Sequence, residues 1–521
     1  MPPQRESSLT GTEGLYRRER TRIGRVSLST KFYQGLGAVP ESLKNFGFST
    51  FLLFFYNQIL GVNAFKASVA IALALIIDAV FDPLIGSFSD GLKTRLGRRH
   101  LLMYLSAAPI GLGLMLVFSP PAGLSETLLL AWLFVTVVIT HVSMSLFVVP
   151  WTALYAEFSD DYEERTNIVT WRYAVGWLGS LIFIMSTWSL IFASTPAYDP
   201  GQLNPHAYRL FAPVIALVVS GSVVLTTLLT QREIPFLLQP VAAAPPFSIA
   251  AVWRDVSSTF GNRDFLLLFG SALLTSGVTG TTDTLGAYMS TFFWGLAPEQ
   301  LRWFPVSIVG AIVAFFTLGP IERALDKKPV LMGAFALLLV DGMGVTGLRL
   351  AHLTPPNGSQ MLLALLIGNE IVRTFLGTLL GIMFVSMLAD TIDVQELATG
   401  RRQEGVFAAA LAFSGKATAG VGAIVGGFLL QQVVRWPTHA DPHSIDPVMV
   451  THLGWAAGVL VPLLLIAPLL LGSRYGVTRA GHALTRQELD RRRAAAKAPA
   501  IEQAHRAVEI ELLAEHLTEL S

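Results

Sequence analysis

The 521-residue chain has no cysteine, so neither a disulfide nor a thiolate metal site can form in it. Charge is scarce too. Asp, Glu, Lys and Arg make up 14% of the residues, where a soluble protein carries about 25%. The first thirty residues are polar and arginine-rich and lack the apolar core of a secretory signal peptide, so the first apolar run is expected to serve as an uncleaved anchor. The pattern offers no nucleophile–base pair and no cluster of metal ligands, so neither an enzyme nor a cofactor is expected. A formal net charge of +1 gives no footing for nucleic-acid binding.

What the chain has in abundance is apolar: 52% hydrophobic residues and a mean hydropathy of +0.55. A helix needs roughly 20 apolar residues to cross the ~30 Å hydrocarbon core of a bilayer. Such runs lie near 35–60, 66–89, 101–119, 127–156, 167–192, 208–230, 264–292, 303–320, 330–350, 361–389, 406–433 and 451–472. They predict an all-α integral membrane protein of twelve transmembrane helices, called spans 1 to 12 in chain order.

Basic residues orient the spans. Arg17, Arg18, Arg20, Arg98, Arg99, Lys327, Lys328, Arg401 and Arg402 fall on one side, whereas Lys66, Arg209, Arg302, Arg349 and Arg435 are the basic residues that flank the opposite loops. The bias places both termini in the cytoplasm of a cell that carries the protein in its inner or plasma membrane. A proline-bearing loop (Pro235, Pro240, Pro245, Pro246) divides the spans six and six. The predicted layout is a cytoplasmic arm over 1–33, a six-helix bundle over 34–230, a linker over 231–263, a second bundle over 264–472 and a tail over 473–521. A weak echo supports two halves: the turn after Gly86 recurs as GPIERALDKKP after span 8. In the tail, Thr485 and Glu488 have capping-box spacing, and Leu512, Leu513, Leu517 and Leu520 suggest one face of a last helix.

Several charges lie inside apolar runs, where an unpaired ion costs several kcal/mol. Asp78 and Asp82 stand four apart in span 2, one turn above the other on a single helix face. Two carboxylates on one face describe a cation or proton site. Span 1 holds Glu41 and Lys44, span 5 Arg172, span 7 Asp283, span 9 Asp341, span 10 Glu370 and Arg373, and span 11 Lys416. Glu41–Lys44 and Glu370–Arg373 are three apart and can pair locally. An acid such as Glu157 is a candidate partner for Arg172. Lys416 has to find an anion, and Asp78 and Asp82 are the candidates. The small residues after it, ATAGVGAIVGG, permit close helix approach.

The stretch DAVFDPLIG followed by SDGLKTRLGRR resembles the second helix and first inner loop of the glycoside–pentoside–hexuronide:cation symporters, the melibiose-permease branch of the major facilitator superfamily. GLGAVPESLKNFGFSTFLLFFYNQILGV, SMSLFVVPWTALYAEFSDDYEERTNIVTWR, FSGKATAGVGAIVGG and ADTIDVQELATGRRQEG are similar to that family at spans 1, 4–5, 11 and the passage between spans 10 and 11. The resemblance implies the major facilitator fold, a carrier that functions as a monomer, and alternating access driven by H+ or Na+.

It also implies roles. Asp78, Asp82 and Ser145 would bind the coupling cation. Arg172 and Lys416 would hold the substrate, a sugar or anionic glycoside, together with Ser42, Asn45 and Trp151, whose ring offers a sugar a stacking face. Arg165, Asp390, Asp393, Arg402 and Glu404 would form a cytoplasmic ion-pair gate. Ser42 and Val148 stand where the sugar permeases of the family carry aspartates, which points toward an anionic substrate or one bound through Arg172. Phe81 replaces a polar side chain of the sodium-using members, which favours protons. Two other readings stay open: a lysophospholipid symporter, because the sodium-dependent lysophosphatidylcholine symporters share the DPL and VP signatures, and a non-transporting membrane sensor.

Overall fold

A computed structural model describes residues 16–17, 22, 24–92, 94–159, 161–237, 239–240, 262–399, 415–416 and 419–492. Ten of its helices are long and apolar enough to cross a bilayer. Spans 1 and 11 account for the other two expected crossings. Span 1 is interrupted: helices Leu28–Leu36 and Ala38–Gly47 give way to π-helical turns at Phe48–Leu52 and Phe55–Ile59. Span 11 is described from Ala419 to Val434 and also ends in a π-helical turn.

Local chemistry sets the helix starts. Ser27 accepts from the Thr30 amide and opens span 1 earlier than the hydropathy pattern places it. Asn63 caps span 2 (Ala64–Gly91), which runs unbroken through Pro83, and Ser125 caps span 4 (Glu126–Phe158). Span 10 corrects the expectation. The helix Gln360–Thr399 carries on through Asp390 and Asp393, which the sequence places in a loop. Those two acids stand among helix formers with no glycine or proline before Gly400, and basic partners meet them.

Neighbouring spans pack on one another. Span 2 lies on span 4, span 3 on spans 4 and 6, and spans 8 and 9 on span 10. The side holding Arg22 and Glu233 is bound by ions. Lys31 pairs with Glu164 at 3.0 Å, and Arg22 pairs with Glu233. Tyr16–Arg17 forms a two-residue ladder with Gln239–Pro240, tying the arm to the linker. Glu157 is shared by Arg98 (2.7 Å) and Arg99 (3.1 Å), and Asp90 lies 2.8 Å from Arg99. Glu157 is therefore the partner of the first inner loop, not of Arg172.

The tail docks on the second half. Thr478, not Thr485, opens its helix by accepting from the Gly481 amide, and Thr485 bonds back within the helix to the Gly481 carbonyl. Arg479 donates to the Leu325 carbonyl, and Arg492 donates to the Leu397 carbonyl. Tyr475 is buried and donates to the Met387 carbonyl; burial pushes its phenol above the ordinary value. The leucines beyond residue 492 lie outside the described residues.

On the opposite side the halves are joined by neutral hydrogen bonds. Gln58 donates to the Pro437 carbonyl and accepts from the Ala440 amide. Tyr288 donates to Asn57 at 2.9 Å, and Gln202 donates to Thr291 at 3.0 Å. Phe54 packs edge-on to Tyr288 and tilted against Phe292. On this side the two halves are closed against each other.

Candidate functional site

Asp78 is the centre of a charged group where the halves meet. Its Oδ1 accepts from Ser145 at 2.7 Å, and its Oδ2 lies 2.9 Å from Lys416 Nζ and 3.4 Å from His141 Nδ1. Lys416 also reaches Asp82 at 2.5 Å, so one ammonium bridges both carboxylates. Asp78 is nearly fully buried, whereas Asp82 and Lys416 are about a third exposed at the side chain. Asp82 keeps one buried oxygen, Oδ1, without a donor among the described residues. Lys416 gets this close because of the glycines after it: a Cβ at Gly422 would meet Gly280 at 2.6 Å, and one at Gly427 would meet Ser68 Oγ at 2.2 Å. Span 11 is thus pressed between spans 2 and 7.

His141 is the member that sequence reasoning missed. It lies one turn before Ser145 on the same face of span 4, buried, with its ring edge-on to Phe48. The signal was present: a lone titratable residue in the apolar run LFVTVVITHVSMS meets the same rule that singled out Asp78.

The residues expected to hold substrate are placed differently. Trp151 is fully buried, stacked on Phe147, and its indole donates to the Gln34 carbonyl. Its ring also carries the guanidinium of Arg172, 4.1 Å from the centroid. This corrects Trp151 from a stacking face for a sugar to a support for Arg172. Ser42 donates to the Ala38 carbonyl in its own helix, and Asn45 is exposed. Three of the gate residues meet partners among the described residues. Asp390 binds Lys327 at 2.7 Å, and Asp393 lies 3.1 Å from His482 and 3.9 Å from Arg486. Arg165 donates to the Ser159 carbonyl. Arg402 and Glu404 lie outside the described residues.

A cavity of about 640 Å³ opens between the halves. Its acids are Asp283, Asp341 and Glu370, with Arg373 and Asn369 beside them and Phe46, Trp188 and Trp294 on its aromatic side. Among the described residues the wall includes none of Ser42, Asn45, Trp151, Arg172 and Lys416. Glu370 pairs with Arg373 at 2.9 Å, as the three-residue spacing allows.

Ten long apolar helices, two halves sealed on one side and a charged group between them define a multi-pass membrane carrier with the fold of a secondary transporter. The nucleoside transporter NupG shares that fold with a TM-score of 0.56 at 14% identity, over 85% of this chain and 99% of the other. The chain matches the family described as MFS/sugar transport protein over residues 33–479 and belongs to it. The isoprimeverose transporter of Lactiplantibacillus pentosus is 25% identical over 80% of this chain and 82% of its own length. The putative glycoside/cation symporter YagG of Escherichia coli (strain K12) is 23% identical over 86% of this chain and 92% of its own.

Proposed function

We propose that this protein is a symporter that couples a monovalent cation to uptake of a glycoside or related sugar by alternating access. The observation that carries the reading is the Asp78–Asp82–Lys416 group. Paired carboxylates in a membrane interior are costly, and the ammonium that offsets them comes from the other half of the molecule. An incoming cation competes with Lys416 for the same oxygens, and the orphaned Asp82 Oδ1 is a free ligand for it. Cation loading then weakens a bond between the halves, which links occupancy to conformation. The names of the relatives, an isoprimeverose transporter and a putative glycoside/cation symporter, support a sugar as substrate.

The proton is the proposed cation. Sodium wants several oxygens, and here Asp78 already spends its oxygens on Ser145, Lys416 and His141, while Phe81 adds none. Asp390 is anchored by Lys327 and Asp393 by His482 of the tail. Both termini lie in the cytoplasm, and the carrier works as a monomer.

The test is uptake of radiolabelled isoprimeverose, a hexuronide and a lysophospholipid into proteoliposomes, with a pH gradient and no sodium or with a sodium gradient at constant pH. Sugar uptake driven by the pH gradient is expected. Lysophospholipid uptake alone, or no cation-driven uptake of any compound, would overturn the reading.

A further inference from the structure

Resting on the symporter reading, we infer that the sugar ring itself is bound in the cavity wall of the second half, by Asp283, Asp341, Asn369 and Arg373. The volume, about 640 Å³, lies within the range of small-molecule sites. Three spans bring these groups together: Asp283 from span 7 (Arg263–Tyr288), Asp341 from span 9 (Lys327–Leu350), and Asn369 and Arg373 from span 10 (Gln360–Thr399).

Their hydrogen bonding is incomplete in a directed way. Asn369 donates to Asp341 Oδ1 at 2.7 Å, fixing that carboxylate, and Asp341 Oδ2 is buried with no donor among the described residues. A ligand hydroxyl supplies the missing donor. Arg373 is steadied by Glu370 and offers a planar fork with further N–H groups to an acceptor. Thr282 and Ser290 add hydroxyls to the lining, and Trp188 and Trp294 add rings.

A polyhydroxylated ring matches that inventory. Its hydroxyls donate to carboxylates and accept from the guanidinium, while its C–H face lies on indole. The cavity has three carboxylates to one guanidinium, so its surplus is of acceptors, and a neutral polyol satisfies acceptors without bringing charge. The residues expected to do this in the first half are otherwise engaged: Trp151 lies beneath Arg172, and Ser42 is bonded within its own helix.

The experiment uses full-length protein in detergent, with isoprimeverose and tetramethylammonium as probes. Asp341→Asn and Asn369→Ala should each raise the Kd for isoprimeverose about ten- to a hundredfold, the loss of one hydrogen bond to a charged group. Because the chain has no cysteine, Thr282→Cys gives a single thiol in the wall, and isoprimeverose should protect it from a maleimide. The protection assay stands even if Asp341→Asn fails to fold. Unchanged affinity in both folded variants, or no protection, overturns the subsite alone. Protection by tetramethylammonium and not by the sugar also overturns it. Wild-type protein that binds no sugar overturns the sugar-symport reading and this subsite together.

Discussion

His482 Nε2 stands 3.1 Å from Asp393 Oδ2, so the tail helix reaches an acid at the inner end of span 10. Arg486 approaches the same carboxylate, and Leu489 beyond it is buried. If these contacts latch the tail, the double substitution His482→Ala, Arg486→Ala should release it. A thiol introduced as Leu489→Cys should then react several times faster with a maleimide than in the otherwise unchanged chain. Equal labelling rates would show that the tail is held by other contacts.

The cation site makes a second prediction. Asp78→Asn and Asp82→Asn should each abolish concentrative uptake while leaving exchange of substrate, since the amide keeps the volume and loses the charge. Concentrative uptake in both variants would exclude the pair from coupling.

Lys416→Met leaves two carboxylates facing each other without an ammonium. Stability should then depend on a cation. Raising proton or sodium concentration should raise the Tm of the variant, by the equivalent of ~2.7 kcal/mol at a hundredfold excess over Kd, and that of the wild type far less. Parallel responses of the two proteins would mean that Lys416 does not stand in for the cation.

His141 takes up the flank of Asp78 where a sodium ion would need an oxygen. His141→Ser should open that flank and let a sodium gradient drive uptake at constant pH. A cation preference identical to wild type would leave His141 a packing residue.

Glu157 is buried beneath two arginines. Glu157→Gln leaves Asp90 as the acid that pairs with the two arginines among the described residues, so one buried positive charge loses its partner, and should cost ~3–5 kcal/mol, read as a lower Tm and faster exchange of the loop carrying Arg98 and Arg99. A Tm within a degree of wild type would argue against a structural role for the pair.

The link between Lys416 and Asp78 was legible in the sequence because a charge inside an apolar run must find its opposite, and few candidates existed. Spans, caps and the small-residue seam followed from equally local rules. His141 was legible by the same rule and was passed over. The end of span 10 was misread because Asp390 and Asp393 look like solvated loop residues until Lys327 and His482 arrive from elsewhere in the chain. The π-helical turns at the ends of spans 1, 5, 7 and 11 and in the middle of span 12 have no sequence signature. Asp283 and Asp341 had no assignable partner because packing alone brings their separate spans to one wall.

The bridge of one ammonium across two carboxylates has an electrical consequence. At ordinary charges Asp78, Asp82 and Lys416 sum to one negative charge when empty and to zero with a monovalent cation bound. Membrane voltage, ~2.3 kcal/mol per charge per 100 mV, therefore acts on the empty carrier and leaves the loaded one nearly indifferent. In the cycle proposed above, a negative cell interior pushes the unloaded site outward, so the return stroke, not the delivery of substrate, is what the membrane potential would power.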